Sequence, residues 1–319
     1  MRIGIGLIGL GRHGSRYAES LTKQVQGAEL VAVCRRNLSE AERFAAIWGA
    51  KKAYADYRNL VKDREVDAVI VATPNSSHME VALEAAENGK HLLVEKPLGR
   101  TVEEAGRMVS IARRCGVNLM VGHSFRYHPM TIASIKYLEG LGRVFLATMC
   151  KRQPVATGWR LDQGEFGGAI MDLGVHLFDL TEFILKERPT AVFCQARRLL
   201  GSNVEDSFAA VLDLPGNAMA ILDASMSSNS RTDKMEFAGT EGHVAADRYL
   251  REVQLVKGES RLRIPILESD ATIHLLLRDF IDSIVGGRDP PITGEDGLEA
   301  VRVAEACYRS SETNSKVTI

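Results

Sequence analysis

The sequence predicts two parts in tandem: a doubly wound α/β domain with a parallel sheet, then an α+β domain. Three observations carry this. In residues 1–122 short apolar runs alternate with amphipathic stretches, a Gly-rich turn follows the first run, and beyond residue 122 strand-like segments come in succession, flanked by helical ones. A length of 319 residues also suits about two domains.

Strand candidates in the first part are residues 3–10, 30–34, 68–72, 91–94 and 119–121. Their near-continuous apolar character implies burial on both faces, as in a parallel sheet covered by helices. Helical patterns fill the gaps. Residues 38–48 have Asn37 or Ser39 as cap, and residues 76–88 stop at Gly89. Residues 101–115 open with Thr101 and Glu104 in capping-box spacing and stop at Gly116. In residues 123–319 a helix is expected near 125–140, a strand at 144–150, and a Gly-rich polar loop at 151–166. One apolar helix follows at 169–185. Residues 207–214 and 218–224 form a hairpin around Pro215-Gly216-Asn217, and helices return at 273–285 and 295–309.

Composition excludes several classes. With 40 basic and 41 acidic side chains the chain has no overall field to attract nucleic acid or an anionic membrane. No run of 18 apolar residues spans a bilayer. The five cysteines show no CxxC pair, so neither a disulfide frame nor a zinc site is expected, and free thiols suit a reducing compartment. Four glycines among residues 4–11, with no A-x-A site after them, argue against a secretory leader. The expectation is a cytoplasmic protein.

Gly9-Leu10-Gly11-Arg12-His13-Gly14 is a GxGxxG between a strand and a helix, the setting in which it binds a dinucleotide. Gly9 permits the turn, Gly11 a close approach of backbone to pyrophosphate, and Gly14 tight packing of helix on strand. The acid that should hold a ribose hydroxyl about 20 residues on is missing, because the second strand ends Cys34-Arg35-Arg36-Asn37. Guanidinium groups there pair with a 2′-phosphate, so NAD(P) is expected with a lean towards NADP(H).

Two further segments carry chemistry. Glu95-Lys96-Pro97 places a lysine at the carboxyl end of a strand, where such sheets bind ligands, and the proline can fix a cis turn. Phe166 to Asp179 opens a helix with Asp172 and His176 four residues apart on one face, with Asp179 placed to orient the imidazole. Histidine is suited to take a proton from an alcohol near neutral pH. A structural histidine and aspartate is the plainer reading of this pair alone. A metal role finds no further ligand at suitable spacing.

With GLGRHG, ATPNSSH, EKP and GGAIMDLGVH in this order, the chain resembles the Gfo/Idh/MocA oxidoreductases, which include inositol dehydrogenases and glucose-fructose oxidoreductase. The resemblance implies a Rossmann domain followed by a domain with a large, open-faced, mainly antiparallel sheet. It implies a catalytic set of Lys96, Asp172 and His176. Thr73, Pro74, Asn75, His78, Glu95 and Lys96 would line the cofactor, and Arg126, Trp159 and Arg160 would approach the nicotinamide or substrate. Many members carry an Asp where this chain has Arg35. An open sheet must bury its apolar face, so a homodimer or homotetramer through residues 144–256 is expected.

The activity so implied is reversible oxidation of a secondary alcohol on a sugar or cyclitol. Two other readings stay open: a glycosidase of the same family that oxidises its sugar transiently, and a dinucleotide-binding sensor without catalysis.

Overall fold

The computed structural model describes residues 2–154, 163–165, 167–201, 203–266 and 272–319. The chain divides into two compact units, Met1–Ser124 with Ala271–Leu298, and Phe125–Asp270 with Glu299–Ile319. Among the described residues no helix is long and apolar enough to cross a membrane.

The first unit holds β1 (Ile3–Ile8), α1 (Arg12–Lys23), β2 (Ala28–Cys34), α2 (Leu38–Trp48), β3 (Lys52–Tyr54) and α3 (Tyr57–Val61). It continues with β4 (Ala68–Val71), α4 (His78–Glu87), β5 (His91–Val94), α5 (Val102–Cys115) and β6 (Leu119–Val121). The strands form one parallel sheet in the order β3-β2-β1-β4-β5-β6. Every residue of β1, β4 and β6 is buried, as the unbroken apolar runs require. The helix signals hold. Asn37 accepts the Glu40 N–H and Thr101 accepts the Glu104 N–H, while Gly49 and Gly116 close α2 and α5 in the left-handed region. The capping box at Thr101 is only half made, because the Glu104 carboxylate turns to Arg100, accepting its N–H at 2.9 Å and pairing with its guanidinium. β3 escaped the sequence pattern because three half-buried residues at a sheet edge carry no period.

The second unit contains α6 (Pro129–Leu138), β7 (Val144–Arg152), α7 (Val175–Leu185), β8 (Ala191–Arg197), β9 (Ser207–Leu214) and β10 (Ala218–Ser225). Then come β11 (Thr232–Gly239), β12 (Gly242–Asp247), β13 (Glu252–Lys257) and β14 (Ser260–Pro265). After α8 (Thr272–Val285) and α9 (Gly294–Thr313), β15 (Val317–Thr318) completes a nine-stranded sheet, β14-β13-β12-β11-β7-β10-β9-β8-β15. Among the described strands of this sheet every pairing is antiparallel except β7 with β10. Alternate residues turn inward, such as Ala147 and Met149, Leu212 and Ala210, Ala220 and Leu222, to pack with Phe178 and Ile184 of α7. On the other face Phe193, Val211 and Ile221 line up across β8, β9 and β10 and stay exposed, with Met219 beside them.

A single cut at residue 122 does not capture this division. α8 and the start of α9 belong with the first unit, because the buried face of α8 (Ile273, Leu276, Leu277, Phe280, Ile281) lies against α1, and Val121 donates its N–H to Ile292 O at 3.2 Å.

Candidate functional site

In the first unit the candidate residues gather at the carboxyl ends of adjacent strands. The order reverses between β1 and β4, the point at which such sheets hold ligands. Gly9 has φ +96 and donates its N–H to Cys34 O at 3.1 Å. A Cβ on Gly14 would fall 2.1 Å from Gly9 O, so the helix can start this close to the turn only with glycine there. Gly11 differs: nothing lies within 4 Å of where its Cβ would be, and no side chain caps α1, whose first turn carries no acid. Leu10 is buried beneath the turn and Arg12 is exposed on it. An open cradle beside uncapped N–H groups suits a pyrophosphate. The residues present therefore fit a dinucleotide.

The β4 turn adds Thr73, Pro74 and Asn75. Thr73 Oγ1 is buried with no hydrogen-bond partner among the described residues, a second polar atom left for a ligand. His78 is fully enclosed. Its ring nitrogens lie 3.0 Å from Thr73 O and 3.0 Å from Pro97 O, so it ties two loops together instead of presenting a group to the cofactor. Burial pushes its pKa down, against the pull of those carbonyls.

After β5 the Lys96–Pro97 bond is cis, as the Glu-Lys-Pro order suggested. Glu95 is buried and accepts the Tyr17 hydroxyl at 2.8 Å, with His13 Nδ1 at 3.4 Å and the Lys96 N–H at 3.2 Å. Burial alone would raise this carboxyl, but His13, Lys96 and Tyr17 outweigh it and hold the pKa to about 2. Glu95 is thus an anion that fixes the strand end from which Lys96 emerges. At the end of β2, where the strand offers no carboxylate, Arg35 meets one from α2: Nε lies 2.7 Å from Glu40 Oε2, in a pair open to solvent.

In the second unit the helix expected at 169–185 begins with a wide π-type turn, Ile170–Gly174, before α7. Such turns are frequent at functional sites, and the extra width still leaves Asp172 and His176 about one turn apart. Both are buried. Two glycines make room for this entry. Gly168 has φ +116, and its missing Cβ would lie 2.4 Å from the Glu205 carboxylate. Glu205 accepts the Ile170 N–H at 2.9 Å and the Tyr308 hydroxyl at 3.0 Å, and burial raises its pKa despite those donors. Gly174 makes room for Phe178 and Phe208. The Phe125 ring packs 4.7 Å from the His176 ring.

Asp179 pairs with a guanidinium. It takes Arg126 in a forked pair, Nε at 3.0 and 3.1 Å and Nη2 at 2.5 Å, both groups buried and the guanidinium stacked on Phe183. A buried fork of this kind holds the turn at Ser124–Tyr127 onto α7, which gives Arg126 a structural part besides the nicotinamide or substrate contact expected of it. Trp159 and Arg160, and the loop around Asp162, lie outside the described residues. What sequence reading missed is a charged group around Phe125: Lys151, Asp233 and Arg248. The signal was a charge at an inward position of an otherwise apolar strand face, Lys151 in line with Ala147 and Met149, and Asp233 with Met235 and Phe237.

A parallel sheet with a phosphate cradle, joined in sequence to an open mixed sheet whose covering helix starts with an Asp–His pair, defines a dinucleotide-dependent oxidoreductase by class. The model of the oxidoreductase family with an NAD-binding Rossmann fold matches residues 3–123, and that of the GFO/IDH/MocA C-terminal domain matches residues 139–245. The chain belongs to the GFO/IDH/MocA family. It is 28% identical to a myo-inositol 2-dehydrogenase of Thermotoga maritima, over 99% of this chain and 98% of that one. It is 30% identical to a 1,5-anhydro-D-fructose reductase of Ensifer adhaerens, over 92% of each. The crystal structure of an oxidoreductase domain protein from Kribbella flavida superposes with a TM-score of 0.92 at 26% identity, covering 100% of this chain and 99% of that one.

Proposed function

We propose that the protein is an NAD(P)-dependent dehydrogenase or reductase acting on a secondary alcohol of a sugar or cyclitol. The observation that carries this is the open side of Gly11 beside the uncapped start of α1, in a chain that also keeps Lys96, Asp172 and His176. The nicotinamide, when bound, exchanges the hydride. His176 takes the hydroxyl proton at an imidazole nitrogen as general base. Lys96 hydrogen-bonds the same oxygen, stabilising the charge that develops there by several kcal/mol, on the order seen for preorganised donors. Asp172 holds a neighbouring hydroxyl. Gly9 to Gly14, Thr73 and Asn75 hold the dinucleotide.

For the cofactor the reading is NADP(H). Two guanidinium groups, Arg35 and Arg36, stand at the end of β2 with Glu40 paired to the first, which supports a 2′-phosphate over a free ribose hydroxyl. The five cysteines are unpaired thiols, which supports a cytoplasmic location.

Assays of sugars and inositols with both oxidised cofactors, alongside calorimetry of each dinucleotide, test the reaction. Lys96→Ala and His176→Ala should each cut turnover at least about 100-fold while dinucleotide affinity survives. Failure of the wild type to bind either dinucleotide would overturn the reading.

The exposed row Phe193, Val211 and Ile221 supports a homodimer or homotetramer through the open sheet face. Val211→Asp should shift light scattering towards the monomer mass, and a monomeric wild type would refute the assembly.

A further inference from the structure

A charged group beside His176 has no part in the reaction as described. Lys151 and Asp233 face each other across β7 and β11, Nζ to Oδ2 at 2.7 Å, both buried. At that distance their charges largely cancel. Arg248, in the turn after β12, reaches the same oxygen with Nη1 at only 3.4 Å, longer than a strong ionic hydrogen bond. Its backbone is firmly set: the Arg248 N–H donates to Asp233 O at 3.0 Å, and the next two N–H groups donate to Asp247 Oδ1. Its side chain is 34% exposed. A guanidinium has five N–H donors in a planar fork, and this one commits a single long contact to a carboxylate that Lys151 already holds.

The group adjoins the proposed base through one ring. Phe125 has Lys151 Nζ 4.0 Å and Arg248 Cζ 5.4 Å from its centroid, and the His176 ring at 4.7 Å. His128 stacks on the same phenyl ring at 6.0 Å. Burial, and then the Arg248 charge, push its pKa down to about 4, so it adds no cation at neutral pH.

We infer that Arg248, backed by the Lys151–Asp233 pair, binds a carboxylate on the substrate, so that the preferred substrate is an acidic sugar such as a hexuronate. The inference rests on the dehydrogenase reading above and names its substrate class. A carboxylate suits the site better than a phosphate, because one negative charge answers one weakly engaged guanidinium. The second charge of a phosphate dianion would sit beside Asp233.

The test compares kcat/KM for glucuronate and galacturonate with that for glucose, galactose and glucose 6-phosphate. Each acid should exceed its neutral counterpart by at least about tenfold, with the margin shrinking as salt is raised. Arg248→Leu should lower the acid-to-neutral ratio at least about tenfold, and Arg248→Lys, which keeps the charge but not the fork, should fall between. A neutral sugar or the phosphate ester preferred by the wild type, or a ratio unmoved by Arg248→Leu, would overturn the proposal. Turnover of no polyol at all would count against the dehydrogenase reading instead. Calorimetry of glucuronate and glucose against the wild type and Arg248→Leu then decides the carboxylate site: acid-selective binding lost in the variant supports it, and equal or absent binding overturns it.

Discussion

Two glycine-rich turns lead into helices in this protein, one before α1 and one before α7, and they use glycine for opposite ends. At Gly11 the space a side chain would fill is open, and the helix start beside it has no cap. At Gly168 and Gly174 the space is already taken by the chain's own Glu205, Phe178 and Phe208. The first turn keeps room for a visitor; the second is filled from inside so that a wide helical entry can exist at all. A motif rich in glycine is therefore no direct sign of a ligand, and what the missing Cβ would meet decides the matter.

Substitution at each turn separates the two roles. Gly168→Ala should have the largest effect. A side chain at φ +116 costs about 1–3 kcal/mol. Displacing a carboxylate held by Ile170 N–H and Tyr308 adds about 1–3 kcal/mol more. Chemical denaturation should show the sum, and pairing it with Glu205→Ala should give a loss smaller than the two single losses added, since both remove the same contact. Gly11→Ala should leave stability within about 0.5 kcal/mol, because φ −81 suits alanine and the Cβ meets nothing. Its dinucleotide affinity should nonetheless fall at least about tenfold, as the methyl occupies the pyrophosphate's place; calorimetry that finds affinity intact would remove the contrast. The smallest effect is one of selectivity. Arg35→Asp should move the preference towards NAD without altering the melting temperature, and Glu40→Gln should move it towards NADP.

Much of this was legible in the sequence because it is local. The GxGxxG, the Lys before a proline at a strand end, and the Asp–His spacing each lie within a few residues, so pattern and chemistry can be judged together. The doubly wound sheet was legible for a similar reason, since its strands other than the edge strand β3 are largely apolar runs. Three features were not legible, each for a physical cause. Arg126 finds Asp179 across 53 positions, and only packing of the turn at Ser124–Tyr127 on α7 decides that they meet. Lys151 finds Asp233 through the register of β7 and β11, which no single strand encodes. The return of α8 to the first unit depends on which sheet its apolar face reaches, and amphipathic spacing reveals a face but not its partner.

The lone parallel junction among the described strands of the large sheet, β7 with β10, has a consequence for how the second unit is assembled. Hairpins such as β11–β12 and β13–β14 close over a few residues, whereas joining β7 to β10 means bringing Leu146 to Met219 and Arg152 to Ser225 across a long excursion of backbone. The imidazole of His176 rides on that excursion. Loop-closure entropy therefore makes its surroundings a late product of folding. A chain with every hairpin in place would still have no chemistry to offer.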